Sequence, residues 1–227
     1  MALSGEIDSP VRLSDSELNA ACDELRRSAS SYVSAKLGSI GERIVAKHMV
    51  QRGFIVCKVD DRTMLTRLGM NLETVEGAPK VMFREGVRPY YSFLRSMRRL
   101  PEEARLRIAD RSEYRYGIPV MRIWSMRGEK YCHIECPHLS RNEVKRIWHV
   151  FAEVALDSSV QFLDFLCHKK GVQKILEVKT GRASLSRPQK TLIQKLRESG
   201  LCVEVVRVQI DRRQVLSRLL FESGPKR

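Results

Sequence analysis

Long apolar runs are missing from this chain. None approaches the roughly 18 residues that a membrane-spanning helix needs. The opening stretch, Met1-Ala2-Leu3-Ser4-Gly5-Glu6, lacks the basic start and apolar block of a secretory signal. Cysteine is sparse: six among 227 residues are too few for a disulfide framework and fit a reducing, intracellular setting. No Gly-x-x-x-x-Gly-Lys loop is present, so ATP-driven chemistry is not indicated, and neither Gly-x-Ser-x-Gly nor His-Glu-x-x-His occurs. There is no internal repeat and no low-complexity tract. These absences predict a cytoplasmic protein with no membrane segment. The composition, 43% hydrophobic and 30% charged, predicts a buried core rather than disorder.

Acidic residues are also in short supply. Lysine and arginine number 41 against 27 aspartate and glutamate, a formal charge of +14. A field of that sign favours a polyanion, most often nucleic acid. The excess is uneven: residues 159–227 carry 15 basic and 6 acidic side chains, net +9, whereas residues 1–59 are nearly balanced.

The pattern of the chain predicts a frayed lead-in over 1–12. A capping box at Ser14-Asp15-Ser16-Glu17 then opens a helix to about Ala29. A second helix is expected from Ser34 or Ala35 to Arg52, stopped by Gly53, with a strand over Phe54–Val59. Residues 60–158 are less legible: a hairpin around Arg127-Gly128 and a helix over Arg141–Leu156 are the clear elements. The last third reads as a strand over Val160–Cys167, a turn, and a strand over Gln173–Thr180. A helix over Ser186–Ser199, a strand over Leu201–Ile210 and a short basic helix over Arg212–Phe221 follow.

Charged groups interrupt two of these apolar strands. Asp164 lies in the first, Glu177 and Lys179 in the second. A charge in such a place is expensive unless paired or bound to a metal. A tight hairpin on Lys170-Gly171 pairs residues whose numbers sum to 341, which sets Asp164 opposite Glu177, with Cβ atoms about 4.5–5.5 Å apart. Two carboxylates that close repel each other unless a divalent cation such as Mg²⁺ lies between them. Lys179 projects from the same face as Glu177. Its ammonium could hold a metal-bound water or neutralise phosphate charge. A cross-strand salt-bridge cluster is the plain alternative. On the second helix, Leu37, Ile40, Ile44, Val45, His48 and Met49 form an apolar stripe, and Glu42 sits at its edge. Gly38 and Gly41 would let this helix approach the sheet closely, bringing Glu42 to the site as a further carboxylate.

Gly41-Glu42, Gly53-Phe54-Ile55-Val56, Asp164, Glu177-Val178-Lys179 and Arg187-Pro188-Gln189 together resemble the PD-(D/E)XK nuclease superfamily, most nearly the archaeal Holliday-junction resolvases. The resemblance covers 34–60 and 159–210, with Leu163 where the motif has its proline. It implies an α/β, restriction-endonuclease-like core, a central mixed sheet flanked by helices, with a long insertion after the first strand. The domain reading is then a helical segment over 1–33, a core over 34–60 and 159–210, an insertion over 61–158 and a basic tail over 211–227. By the same resemblance, Asp164, Glu177 and the Val178 carbonyl hold Mg²⁺ or Mn²⁺, and Lys179 positions the attacking water. Glu42 completes the site through a second metal or a water, and Gln189 is the extra polar residue on the following helix. The implied reaction hydrolyses a phosphodiester, most readily of branched or structured DNA, leaving a 5′-phosphate and a 3′-hydroxyl. Two copies would serve two strands, so a homodimer is expected. An RNA endonuclease with the same site, and a non-catalytic nucleic-acid-binding protein on the same core, are the rival readings.

Other signals carry two readings each. Gln189 belongs to Ser186-x-x-Gln189, itself a capping box. Arg182, Arg187 and Lys190 surround a loop and helix start suited to phosphate, or form a solvated loop. Arg95, Arg98 and Arg99 alternate with aromatic rings over 88–99, suited to unpaired bases or simply to a buried helix face. Cys132, Cys136 and His138 suggest zinc, with a fourth ligand from Cys167, His168 or His149. Strand-end packing of two buried thiols is the favoured reading.

Overall fold

The computed structural model describes residues 11–26, 33–73, 98–111, 117–136, 138–158 and 160–210. The expected Arg212–Phe221 helix and most of the Arg-aromatic segment, including Arg95, lie outside these residues.

In chain order the elements are β1 (Val11–Arg12), α1 (Asp15–Arg26), α2 (Val33–Gln51), β2 (Ile55–Val59), α3 (Asp61–Glu73) and α4 (Glu102–Arg111). They continue with β3 (Pro119–Ser125), β4 (Gly128–Glu135), α5 (Arg141–Asp157), β5 (Phe165–Lys169), β6 (Val172–Thr180), α6 (Arg187–Glu198) and β7 (Val203–Gln209). The seven strands form one mixed sheet in the order β1-β7-β6-β5-β2-β3-β4. The β5-β2-β3-β4 half and the β5–β6 hairpin are antiparallel, while β7 runs parallel to both β6 and β1. The α/β class with a mixed sheet flanked by helices is as expected from the sequence. Among the described residues no helix is long and apolar enough to cross a membrane.

Each face of the sheet carries its own core. On one side Leu18, Ala21 and Cys22 of α1 and Ile40, Ile44, Val45 and Met49 of α2 pack on Val56, Phe165, Leu176 and Val178. On the other, α5 supplies Ile147, Trp148 and Phe151 and α6 supplies Leu192, Ile193 and Leu196, packed with Cys57, Leu166 and Ile175. This is why the strands read as apolar on both faces: successive residues point to opposite cores, and both are covered.

Local chemistry explains the boundaries. Ser14 caps α1, its amide donating to Glu17 at 2.9 Å, and that bond holds the Glu17 carboxyl below its ordinary pKa. Full capping boxes open α5 at Ser140/Glu143 and α6 at Ser186/Gln189. Gly53 takes φ +85° after α2, a backbone that a side chain would strain, and reverses the chain into β2.

The structure departs from the sequence reading in particular places. Val11 and Arg12, expected to fray, pair with Val208 and Gln209 of β7. The strand expected over Val160–Cys167 begins at Phe165, because Asp164 stands in a bend where its side chain caps the neighbouring strand. Gly41 does seat α2 on the sheet: an added methyl would collide with the Thr180 side chain. Gly38 does not, since a methyl there meets nothing within 4 Å. Residues 61–158 contribute β3 and β4 to the main sheet and α5 to its larger core. Helix α3 follows an Asp60 that bonds the Thr63 amide at 3.3 Å and the Thr63 hydroxyl at 2.6 Å, a start signal readable in Asp-x-x-Thr.

Candidate active site

The 341 register holds from Phe165↔Leu176 to Lys169↔Val172. Continued one residue beyond β5, it brings Asp164 to the level of Glu177. There Asp164 Oδ2 accepts the Val178 amide at 2.7 Å, replacing the ladder bond that the bend removes. The Val178 N–H is thereby tied to Asp164.

Glu177 is 2% exposed and is the charged side chain buried in the core of the described residues. A carboxylate there needs partners. Lys179 Nζ lies 2.6 Å from its Oε1, and Gln189 Nε2 donates to the same oxygen at 2.7 Å. Lys179 also donates to Gln189 Oε1 at 3.1 Å, and that oxygen accepts the Ser186 amide at 3.1 Å. Gln189 thus caps α6 and at the same time bonds both Glu177 and Lys179.

Glu42 accepts from Lys58 of β2. Its charge still acts on Asp164 and on Glu177. The three acids expected to converge, and Lys179, thus belong to one electrostatic neighbourhood. Burial, then the charges of Glu177 and Glu42, push the Asp164 carboxyl up to about 8, while the Val178 amide and Lys58 oppose the shift. Burial raises Glu177 as well, against the pull of Lys179.

Sequence reasoning missed two members. Lys58 balances Glu42 and faces the acids; its signal was a lone lysine in the apolar Ile55–Val59 run. Asp61, at the start of α3, is pushed up to about 7, mainly by burial, with the charges of Lys58, Asp60 and Glu177 acting on it. It had no signal beyond its place after that strand.

Among the described residues no three His, Cys, Asp or Glu side chains are arranged as a metal cage. The donor chemistry nonetheless suits a hard divalent ion. The acids are oxygen donors, buried, mutually repelling and held toward protonation, a cost that such an ion removes. The basic candidates lie around this spot: Arg182, Arg187 and Lys190 are exposed on the loop and first turn that leave Lys179. Arg207 shapes that loop, donating to the carbonyls of Gly181 at 2.6 Å and Ala183 at 3.0 Å. Arg98 is half-buried and Arg99 exposed in a turn before α4.

The cysteine and histidine candidates gather at the other end of the β5–β6 hairpin. Cys57, Cys136, His138 and His168 line a cavity of about 220 Å³. The His138 and His168 rings stack 4.5 Å apart, 2° from parallel. Burial, then His168, lowers the His138 pKa. A hydrogen bond with Cys136, followed by burial, raises the Cys57 thiol. The packed pair is Cys57 with Cys136; Cys132, which the sequence reading joined to Cys136, is only half-buried and does not line this cavity.

No family model matches this chain, and no curated protein sequence matches it. Among solved structures it is similar to the crystal structure of paFAN1 bound to a 2-nt 5′-flap DNA with a gap, at 16% identity and a TM-score of 0.38. The match covers 75% of this chain and 35% of that one, so the chain spans about a third of that protein's length.

Proposed function

We propose that this protein is a divalent-cation-dependent endonuclease that hydrolyses phosphodiester bonds in DNA, with branched or otherwise structured DNA as its substrate class. The observation that carries the reading is Glu177: an acid buried to 2% exposure, in the field of two further carboxylates, with a lysine and a glutamine bonded to it. A purely structural core has no use for repelling acids of this kind. Clustered acids with raised pKa values beside an ammonium are the usual furniture of a catalytic site.

Asp164 and Glu177 would hold Mg²⁺ or Mn²⁺, with Glu42 beside them. The ion, when bound, supplies Lewis acidity and a more acidic water. The other roles fall to the chain itself. Lys179 places a fixed positive charge where a phosphate gains negative charge as water attacks, stabilising that state. Gln189 fixes Lys179 and Glu177 relative to each other through both ends of one amide. Lys58 holds the Glu42 side chain in place through their ion pair. Arg182, Arg187 and Lys190, with Arg98 and Arg99 further away, would grip backbone phosphates and carry no base specificity. The products would be a 5′-phosphate and a 3′-hydroxyl, and two copies of the chain would cut opposed strands.

A cleavage panel with Mg²⁺ tests this, setting single strand, duplex, flap, four-way junction and RNA side by side. The expected result is cutting of structured DNA that EDTA abolishes. Cutting confined to RNA would favour the RNA endonuclease. Activity indifferent to EDTA, or binding of DNA with no cutting under any divalent ion, would overturn the reading.

A further inference from the structure

The proposed nuclease site has a carboxylate that the sequence motif does not supply. We propose that Asp61 is a positioning residue of this site, a buried acceptor for the water shell of its divalent cation; this rests on the nuclease reading above.

Asp61 is the first residue of α3, immediately beyond the end of β2. Its Oδ1 is buried and has no hydrogen-bond partner in the protein. The Phe162 backbone amide, in the segment that leads into Asp164 two residues later, acts on the Asp61 carboxyl and favours its ionised form. Lys58 and Glu177, both members of the site, act on its charge. An acid at a helix N-terminus is ordinarily favourable because it stays solvated near the positive dipole end. That accounts for an exposed Asp61 and not for one with an orphaned, buried oxygen, which costs stability until something donates to it. The balance of groups points the same way. Four carboxyl groups, Glu42, Asp61, Asp164 and Glu177, gather with only two ammonium groups, Lys58 and Lys179, and a hydrated divalent cation offsets the repulsion among acids so placed. Carboxylates that receive metal-bound water lie outside the direct ligands, and losing them weakens the metal roughly 10- to 100-fold.

The test compares the full chain with Asp61→Asn and Asp61→Ser in two readouts, Mn²⁺ titration by electron paramagnetic resonance and thermal melting. In EDTA both variants should melt at or above the wild-type temperature, since an unpartnered buried charge has been removed. Their Mn²⁺ affinity should fall roughly 10- to 100-fold, and the rise in melting temperature on adding Mn²⁺ should shrink with it. Wild-type Mn²⁺ affinity in either variant would overturn the proposal, as would both variants melting well below wild type in EDTA, which marks a structural residue. If the wild type binds Mn²⁺ and cuts DNA while the variants bind equally well, only the role of Asp61 fails. If the wild type neither binds nor cuts, the nuclease reading falls with it.

Discussion

The two ends of the β5–β6 hairpin are built from opposite chemistry. At the β5 entrance, Asp164 and Glu177 are neighbouring acids, both raised toward protonation, held by Lys179, Gln189 and the Val178 amide. At the turn, Cys57 and Cys136 bond one another and the His138 and His168 rings stack beside a small cavity, with His168 Nδ1 buried and unpartnered. Both ends use the same strands, the same alternation and similar burial. The difference lies in what each costs the fold. Thiols bury like small hydrophobes. Paired acids bury only at an electrostatic penalty, and such penalties mark the places where structure serves chemistry.

The sharpest break of this contrast is Asp164→Asn or Glu177→Gln. Either should reduce Mg²⁺-dependent cleavage by at least about 10²–10³-fold, and Asp164→Asn should do so without lowering the melting temperature in EDTA; a quantitative gel assay and circular dichroism read the two effects. Cys136→Ser, its counterpart at the other end, should leave cleavage within about twofold of wild type. Equal losses from both ends would erase the distinction.

Next in size is Lys179→Met, which strands Glu177 without its ammonium. Breaking a buried pair costs about 3–5 kcal/mol, and the double change Glu177→Gln with Lys179→Met should recover much of that in urea unfolding. A double-mutant cycle showing no coupling would mean that the 2.6 Å contact contributes nothing.

The pH dependence follows from the raised carboxyl groups. Asp164, lifted from 3.8 to about 8 by burial and its acidic neighbours, binds a proton more tightly folded than unfolded. Its protonation therefore supports the fold at low pH, and that support is lost as pH rises from about 4 through about 8, at no more than about 1.4 kcal/mol per pH unit. Glu177 adds in the same direction. Melting without divalent ions should fall across this window, and the slope should flatten in Asp164→Asn. Cys136→Ser should keep the wild-type slope.

The smallest effect belongs to Gly41→Ala. Its methyl meets the Thr180 side chain, so α2 must shift and carry Glu42 with it. A cost of about 1–3 kcal/mol is expected, whereas Gly38→Ala, facing open space, should be neutral or slightly stabilising.

How far the sequence reaches differs between the two ends for a physical reason. The acids were legible because charge inside an apolar strand is rare, and because a tight hairpin has one register. Asp164 opposite Glu177 follows from Lys170-Gly171 alone, and Lys170 indeed takes a left-handed φ of 44° there. Gln189 was legible as a cap or as a site residue, and only coordinates show its one amide bonded both to Ser186 and to Glu177. Lys58 and Asp61 were hidden because their significance depends on which strand lies beside β2, a long-range pairing that no local pattern encodes. The same holds for β1: two residues make a strand only because β7 presents an open edge to them. The helix over Glu102–Arg111 has no strong period to announce it; tertiary packing of Ile108 and Ala109 decides there.

The shared amide of Gln189 has a mechanical consequence. Its oxygen closes the first turn of α6 while its nitrogen grips Glu177, so loosening that turn and releasing the acid are one event. Anything that pulls on the helix start, such as a polyanion seated on Arg187 and Lys190, is thereby felt at the carboxylate without any domain having to move.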